Sequence, residues 1–119
     1  MFKFEKLTVW QRSVAFADMI YTTSRAFPAD ERFGLANQMR RAAVSISSNI
    51  AEGSARSDPD FINFLRYAAG SLYEVITQVQ IAKNQGLLNE ETHTNLYAEA
   101  EEISRMLSGL SRSLGNHSP

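Results

Sequence analysis

No cysteine occurs in these 119 residues, which excludes disulfides and thiolate metal sites and fits a reducing compartment. Histidine, the commonest proton shuttle, is found only at His93 and His117, and no nucleophile has a base beside it, so the residue types do not point to an enzyme. No apolar run approaches the ~18 residues that a membrane span needs. The opening Met1-Phe2-Lys3-Phe4-Glu5-Lys6 lacks the apolar core and small-residue cleavage site of a signal peptide, so a cytoplasmic protein without membrane attachment is expected. Apart from the short Phe2/Phe4 alternation there is no strand-like pattern, no glycine-rich repeat and no low-complexity tract. Neither sign of charge dominates: twelve Lys/Arg stand against thirteen Asp/Glu for a net charge of -1, which argues against a generic polyanion binder.

What is present is helical periodicity. The length suits one domain, and 44% hydrophobic with 21% charged residues is ordinary for a globular chain. Thr8 with Gln11 forms a capping-box pattern, followed by Val9, Phe16, Ile20 and Phe27 in one row and Trp10, Val14, Ala17 and Tyr21 in a second. Pro28 stops this helix and Asp30 is placed to cap the next, in which Leu35, Met39, Ala42, Ile46 and Ile50 lead to Gly53, read as a left-handed C-cap. Ser57 or Asp58 caps a third helix with Pro59 in its first turn. Its seam is Phe61, Leu65, Ala68, Leu72, Val75, Val79 and Ala82, with Ile62, Ala69, Tyr73 and Ile76 beside it, and Gly86 ends it. Asn89 caps a last helix with Glu90 and Glu91 in the first turn and a stripe of Leu96, Ala100, Ile103, Leu107, Leu110 and Leu114. The tail after Gly115 reads as frayed. Helices over roughly 8–26, 31–52, 59–85 and 90–114, joined by short loops, predict an all-α, antiparallel up-down-up-down four-helix bundle as one domain over 1–119. Such helices are ~30 to 40 Å long, a rod rather than a globule.

The second helix carries an unusual set of polar residues. Folding it onto the third about the 54–59 turn sets Arg41 level with Glu74, Ser45 level with Gly70 and Glu52 near Asn63. An inter-helix polar seam of Arg41, Ser45, Asn49, Glu52, Ser71 and Glu74 follows, with an Arg41 to Glu74 pair, acting to fix register and partner choice. The bland alternative is a solvated groove. Residues 1–56 carry eight Lys/Arg against five Asp/Glu, whereas 57–119 carry four against eight. This asymmetry suits packing of hairpin on hairpin or subunit on subunit. Surplus apolar surface on the third helix, with Trp10 and Tyr21, favours self-association. Arg12, Arg25, Arg32, Arg40 and Arg56 on the first hairpin are candidate nucleic-acid contacts, because a guanidinium fork binds phosphate bidentately. Glu90-x-x-His93 matches half of a di-metal bundle motif, but the other ligands are missing, so neither a metal nor a cofactor is expected.

The residues also resemble a family. Val9-Trp10-Gln11, Phe27-Pro28, Gly34-Leu35, the run Gln38-Met39-Arg40-Arg41-Ala42-Ala43-Val44-Ser45-Ile46, Asn49-Ile50-Ala51-Glu52-Gly53-Ser54 and Ala69-Gly70-Ser71-Leu72-Tyr73-Glu74 are similar, in order and spacing, to the proteins named for open reading frames in 23S ribosomal RNA intervening sequences. The resemblance implies a bacterial four-helix bundle that assembles into a ring, a pentamer, without established enzymatic activity. It extends to the accessory variability determinant of diversity-generating retroelements, a strongly basic pentamer that associates with a reverse transcriptase and nucleic acid, whereas this chain is near neutral. By position Arg41, Asn49, Glu52, Gly53, Gly70, Ser71 and Glu74 match the recurrent motif and are read as determinants of fold and assembly. The implied function is a homo-oligomeric scaffold or accessory subunit, with itself and an RNA or ribonucleoprotein as partners; the rival reading is direct RNA or DNA binding.

Overall fold

Helix boundaries in this protein are set by a few side chains and by one glycine. The computed structural model describes residues 1–116, with four long helices: α1 Thr8–Arg25, α2 Leu35–Ser54, α3 Asp58–Asn84 and α4 Glu90–Asn116. Ser57 caps α3 by accepting from Asp60 N at 3.5 Å, and Asn89 caps α4 by accepting from Thr92 N at 2.8 Å, so both expected caps satisfy first-turn N–H groups. Gly86 follows α3 at φ 74, the left-handed conformation that glycine adopts without Cβ strain. Of the tail expected to fray after Gly115, Asn116 is instead the last residue of α4, and His117, Ser118 and Pro119 fall outside the described residues.

Three boundaries differ from the sequence reading. The Thr8–Gln11 box does not form: Leu7 is the N-cap, and the Gln11 amide instead donates to the Glu5 carbonyl at 2.8 Å. That carbonyl belongs to a 3-10 turn over Lys3–Lys6, which occupies the Phe2/Phe4 alternation and seats Phe4 against Trp10 at 5.1 Å. The second helix does not start at Asp30. Asp30 lies inside a 3-10 turn, Ala29–Glu31, and Gly34 at φ -100, ψ -112 breaks the helical path until Leu35, whose N–H is met by the Glu31 carboxylate at 3.3 Å. Gly53 is not a C-cap either. It is helical and buried within α2, where a Cβ would come within 2.5 Å of Phe64 Cβ and 2.9 Å of the Phe61 ring. Glycine is required there because α2 and α3 approach backbone to side chain.

Each helix packs on its chain neighbours and α1 closes the ring on α4, which is the up-down-up-down arrangement. The molecule measures 51 × 23 × 21 Å, a rod. The interior is formed by the predicted rows: Val9, Phe16 and Ile20 of α1, Met39, Ala42, Ile46 and Ile50 of α2, the whole α3 seam from Phe61 to Ala82, and Leu96, Ala100, Ile103 and Leu107 of α4 are all buried. The second rows separate from these. Ile62, Ala69 and Ile76 are half-buried and Tyr73 is exposed, which leaves one flank of α3 only partly covered by α4. Among the described residues no helix is long and apolar enough to cross a membrane.

Candidate functional site

The polar residues of α2 meet α3 along one side of the bundle. Ser45 Oγ lies 2.9 Å from Ser71 Oγ, and Asn49 Nδ2 donates to both the Ser45 hydroxyl at 3.0 Å and the Ser45 carbonyl at 2.8 Å. These three half-buried residues form the core of the seam, because serine is short enough for two helices to approach hydroxyl to hydroxyl. The predicted register, Ser45 level with Gly70, is one residue from the observed one.

The charged ends of the seam behave differently. Arg41 and Glu74 are both exposed, and the expected pair is not among the ion pairs of the described residues. Glu74 accepts from Gln78 Nε2 at 3.4 Å in its own helix. The reason is radial position: both side chains project from the outer edges of their helices, where water solvates them and an exposed pair gains little. Glu52 likewise does not reach α3: it pairs with Arg56 of the α2–α3 turn at 3.4 Å instead of reaching Asn63. Gln78 is buried, and its Oε1 has no hydrogen-bond partner among the described residues, a local cost in an otherwise satisfied seam.

The five candidate arginines divide. Arg12 is committed to α4: its Nε and Nη2 donate to the two Glu99 carboxylate oxygens at 2.8 and 3.0 Å, a bidentate fork that takes it out of the set of free phosphate ligands. The hydrogen bond from Arg12 lowers the Glu99 pKa below its ordinary value, against a smaller desolvation that raises it. Arg56 lies at the α2–α3 turn, paired with Glu52 and placed 5.2 Å over the Phe64 ring. Arg25, Arg32 and Arg40 come together at the opposite end of the rod, around a cleft of about 370 Å3 floored by Phe27 and Ala36. Arg40 is fixed there by Nε donating to Ser24 Oγ at 2.7 Å and by the Tyr21 ring at 4.8 Å. Sequence reading overlooked Ser24, yet the signal is present: it stands on the buried row between Ile20 and Phe27, where a hydroxyl needs a partner. It also overlooked Glu99, whose partner is 87 residues away.

The Glu90-x-x-His93 half-motif is taken apart by local bonds. Lys83 Nζ reaches Glu90 at 2.8 Å and, chiefly through that hydrogen bond, holds its carboxyl below the ordinary value. A ring nitrogen of His93 lies 3.0 Å from Gln80 Oε1. Among the described residues no three His, Asp or Glu side chains stand together as a cation site.

Between α3 and α4 runs an apolar groove. Ile62, Ala69 and Leu107 line one section, and Ile76, Tyr73 and Tyr97 line the next, with Tyr73 63% and Tyr97 46% exposed. On the side of α3 that faces α2, Tyr67 is exposed and packs edge-on against Phe64 at 5.6 Å, while the exposed Val44 of α2 stands with Tyr21, Arg40 and Arg41.

Four antiparallel helices, each packed on its chain neighbours with α1 closing on α4, define the class as a four-helix-bundle protein of the up-down-up-down type. The chain belongs to the 23S rRNA-intervening sequence protein family, whose sequence model matches residues 5–109. It is similar in structure to a protein of unknown function from the S23 ribosomal protein family of Bacteroides thetaiotaomicron VPI-5482. That crystal structure, at 1.70 Å resolution, gives a TM-score of 0.81 at 24% sequence identity, over 87% of this chain and 95% of that one. At this identity the likeness speaks for the fold alone. No curated protein matches the chain.

Proposed function

We propose that this protein is a non-enzymatic, homo-oligomeric bundle that serves in the cytoplasm as a scaffold or accessory subunit, and that it assembles as a ring of five. The α3–α4 groove carries the reading: two tyrosines and flanking aliphatic side chains stand uncovered on a 13.3 kDa chain, and contiguous apolar surface of this kind favours a protein partner. A closed ring needs two different patches, one for each neighbour. The groove on one flank of α3 and the Phe64/Tyr67 aromatic pair on the other are two such patches, whereas a two-fold dimer needs only one. The ring of five is also what the family resemblance implies. Light scattering at micromolar concentration tests this. The wild type is expected to run as an oligomer, and Tyr73→Asp/Tyr97→Asp to dissociate into monomers that keep the helical circular-dichroism spectrum, since both side chains are exposed in the single chain. A wild type that runs as a monomer would remove the proposal.

A second reading, direct RNA or DNA binding through the first hairpin, is favoured by one observation, the convergence of Arg25, Arg32 and Arg40 on a single cleft. It is compatible with an accessory role in a ribonucleoprotein. A shift assay with RNA at low salt tests it: retardation that weakens as salt rises is expected, and no retardation would dispose of it.

A further inference from the structure

We propose that the cleft between the end of α1 and the start of α2 is an oxyanion site that takes the phosphate of a nucleotide in a single-stranded nucleic acid, with Phe33 as the stacking surface for its base. The source of the phosphate rests on the second reading above; the oxyanion site itself rests on geometry. Arg25 and Arg32 are exposed, and neither side chain makes a hydrogen bond or ion pair among the described residues. Arg40 is held in place: Ser24, only 3% exposed and itself bonded to the Tyr21 carbonyl at 3.3 Å, takes its Nε proton, and the Tyr21 ring supports its plane. The two terminal nitrogens of Arg40 are left to donate elsewhere.

Among the described residues no carboxylate lines this cleft. The nearest in sequence are Asp30 and Glu31 in the connecting 3-10 turn, and the Glu31 carboxylate is turned to Leu35 N. The two helix ends meeting here, C-terminal for α1 and N-terminal for α2, have opposed dipoles, so the guanidinium groups set the sign of the field. The protein neutralises Arg12, Arg56 and Arg105 with glutamates. It leaves three guanidinium groups facing one space, a mutual repulsion that an anion relieves.

Charge, shape and neighbours choose the anion. A carboxylate offers two oxygens and suits one fork, whereas a phosphate offers more acceptors and a fuller negative charge to three forks. The cleft, at about 370 Å3, falls in the ~300–1,000 Å3 range of small-ligand sites. Its floor of buried Phe27 and Ala36 gives the guanidinium groups a low-dielectric wall on one side. Phe33, the residue after Arg32, is 86% exposed. An exposed phenyl ring one residue along the chain from a cleft-lining arginine suits the way single strands are held, phosphate on arginine and base on aromatic face.

The test is an NMR titration of the full chain, following arginine side-chain and backbone resonances, first with inorganic phosphate and then with 5′-phosphorylated and unphosphorylated oligouridylate hexamers. Phosphate is expected to shift Arg25, Arg32 and Arg40 while leaving Arg12 and Arg105 in place. The hexamers are expected to bind more tightly than phosphate alone, to lose at least tenfold in affinity in Arg25→Gln/Arg32→Gln, and to lose affinity in Phe33→Ala while phosphate binding persists. These substituted side chains are exposed, and an unchanged thermal midpoint checks that the fold is intact. Phosphate binding without any gain from a hexamer would leave a free-anion site and overturn the nucleotide assignment. Hexamer binding indifferent to the double substitution would overturn this site while sparing the second reading. No shift with any of the probes would overturn both.

Discussion

Two glycines of α2 and α3 have opposite structural meanings, and the same substitution separates them. A Cβ on Gly53 would sit 2.5 Å from Phe64 Cβ, and neither atom is the end of a flexible chain, so Gly53→Ala forces α2 away from α3. The expected loss is about 1–3 kcal/mol, as for overpacking generally. Gly70 has open space around its missing Cβ, so Gly70→Ala is expected to stabilise the chain by roughly 0.5–1 kcal/mol through helix propensity. Urea denaturation of both variants checks the pair of signs. The Ser45–Ser71 contact is measured by a double-mutant cycle, Ser45→Ala, Ser71→Ala and the double variant, with an expected coupling of about 0.5–1.5 kcal/mol. Gly53 stood out in the sequence because it ended an apolar stripe, which suggested a cap. Nothing local could show that it faces two phenylalanines from the next helix. Ser45 and Ser71 were legible for the opposite reason, since hydroxyls at helical spacing near a short turn must meet if the helices are antiparallel. Arg41 and Glu74 obeyed the same levelling argument but failed on direction about the helix axis: levelling fixes height along the bundle, and both side chains project from the outer edges of their helices.

At the scale of elements, helix period and punctuation carried most of the fold. The α3 seam is buried at all seven predicted positions, and the Ser57, Asn89 and Gly86 boundaries follow from side-chain acceptors and backbone freedom that the residue types announce. The start of α2 was not legible, because Asp30 is as good a residue for a 3-10 turn as for an N-cap and the break at Gly34 depends on how α1 hands the chain over. The α1–α4 closure follows from the up-down-up-down arrangement, but the Arg12–Glu99 fork that ties it was hidden, because it joins residues 87 positions apart. Its pH dependence is distinctive. The folded-state pKa of Glu99 is depressed by Arg12, so its contribution to stability is present above the unfolded carboxylate value, about 4.3, and is lost as pH falls through the folded value. Glu99→Gln is therefore expected to lower the thermal midpoint near neutrality and to converge with wild type in acid. Midpoints measured from pH 7 to pH 3 check this, and a constant offset across the range would contradict it.

The whole molecule is a rod whose two long flanks and one end differ in chemistry. The flanks offer apolar strips and the α1–α2 end offers guanidinium groups, so assembly through the flanks leaves that end free. The charge asymmetry between the halves of the chain was visible in the sequence, but its local form was not. Arg12 and Arg56 are absorbed by glutamates, while Arg25, Arg32 and Arg40 converge because the turn after Pro28 brings the last turn of α1 against the first turns of α2. Truncating the α3–α4 groove by Tyr97→Ala alone is expected to weaken assembly by at least tenfold, since aromatic anchors concentrate interface energy; sedimentation velocity over a dilution series checks it. The central claim, that the uncovered flanks of α3 join copies of this chain into a closed ring, is tested most directly by native mass spectrometry of the full chain. A species five times the mass of the 13.3 kDa chain, persisting on dilution to micromolar protein and abolished in Tyr73→Asp/Tyr97→Asp, is the predicted result, and a monomer at every concentration would contradict it.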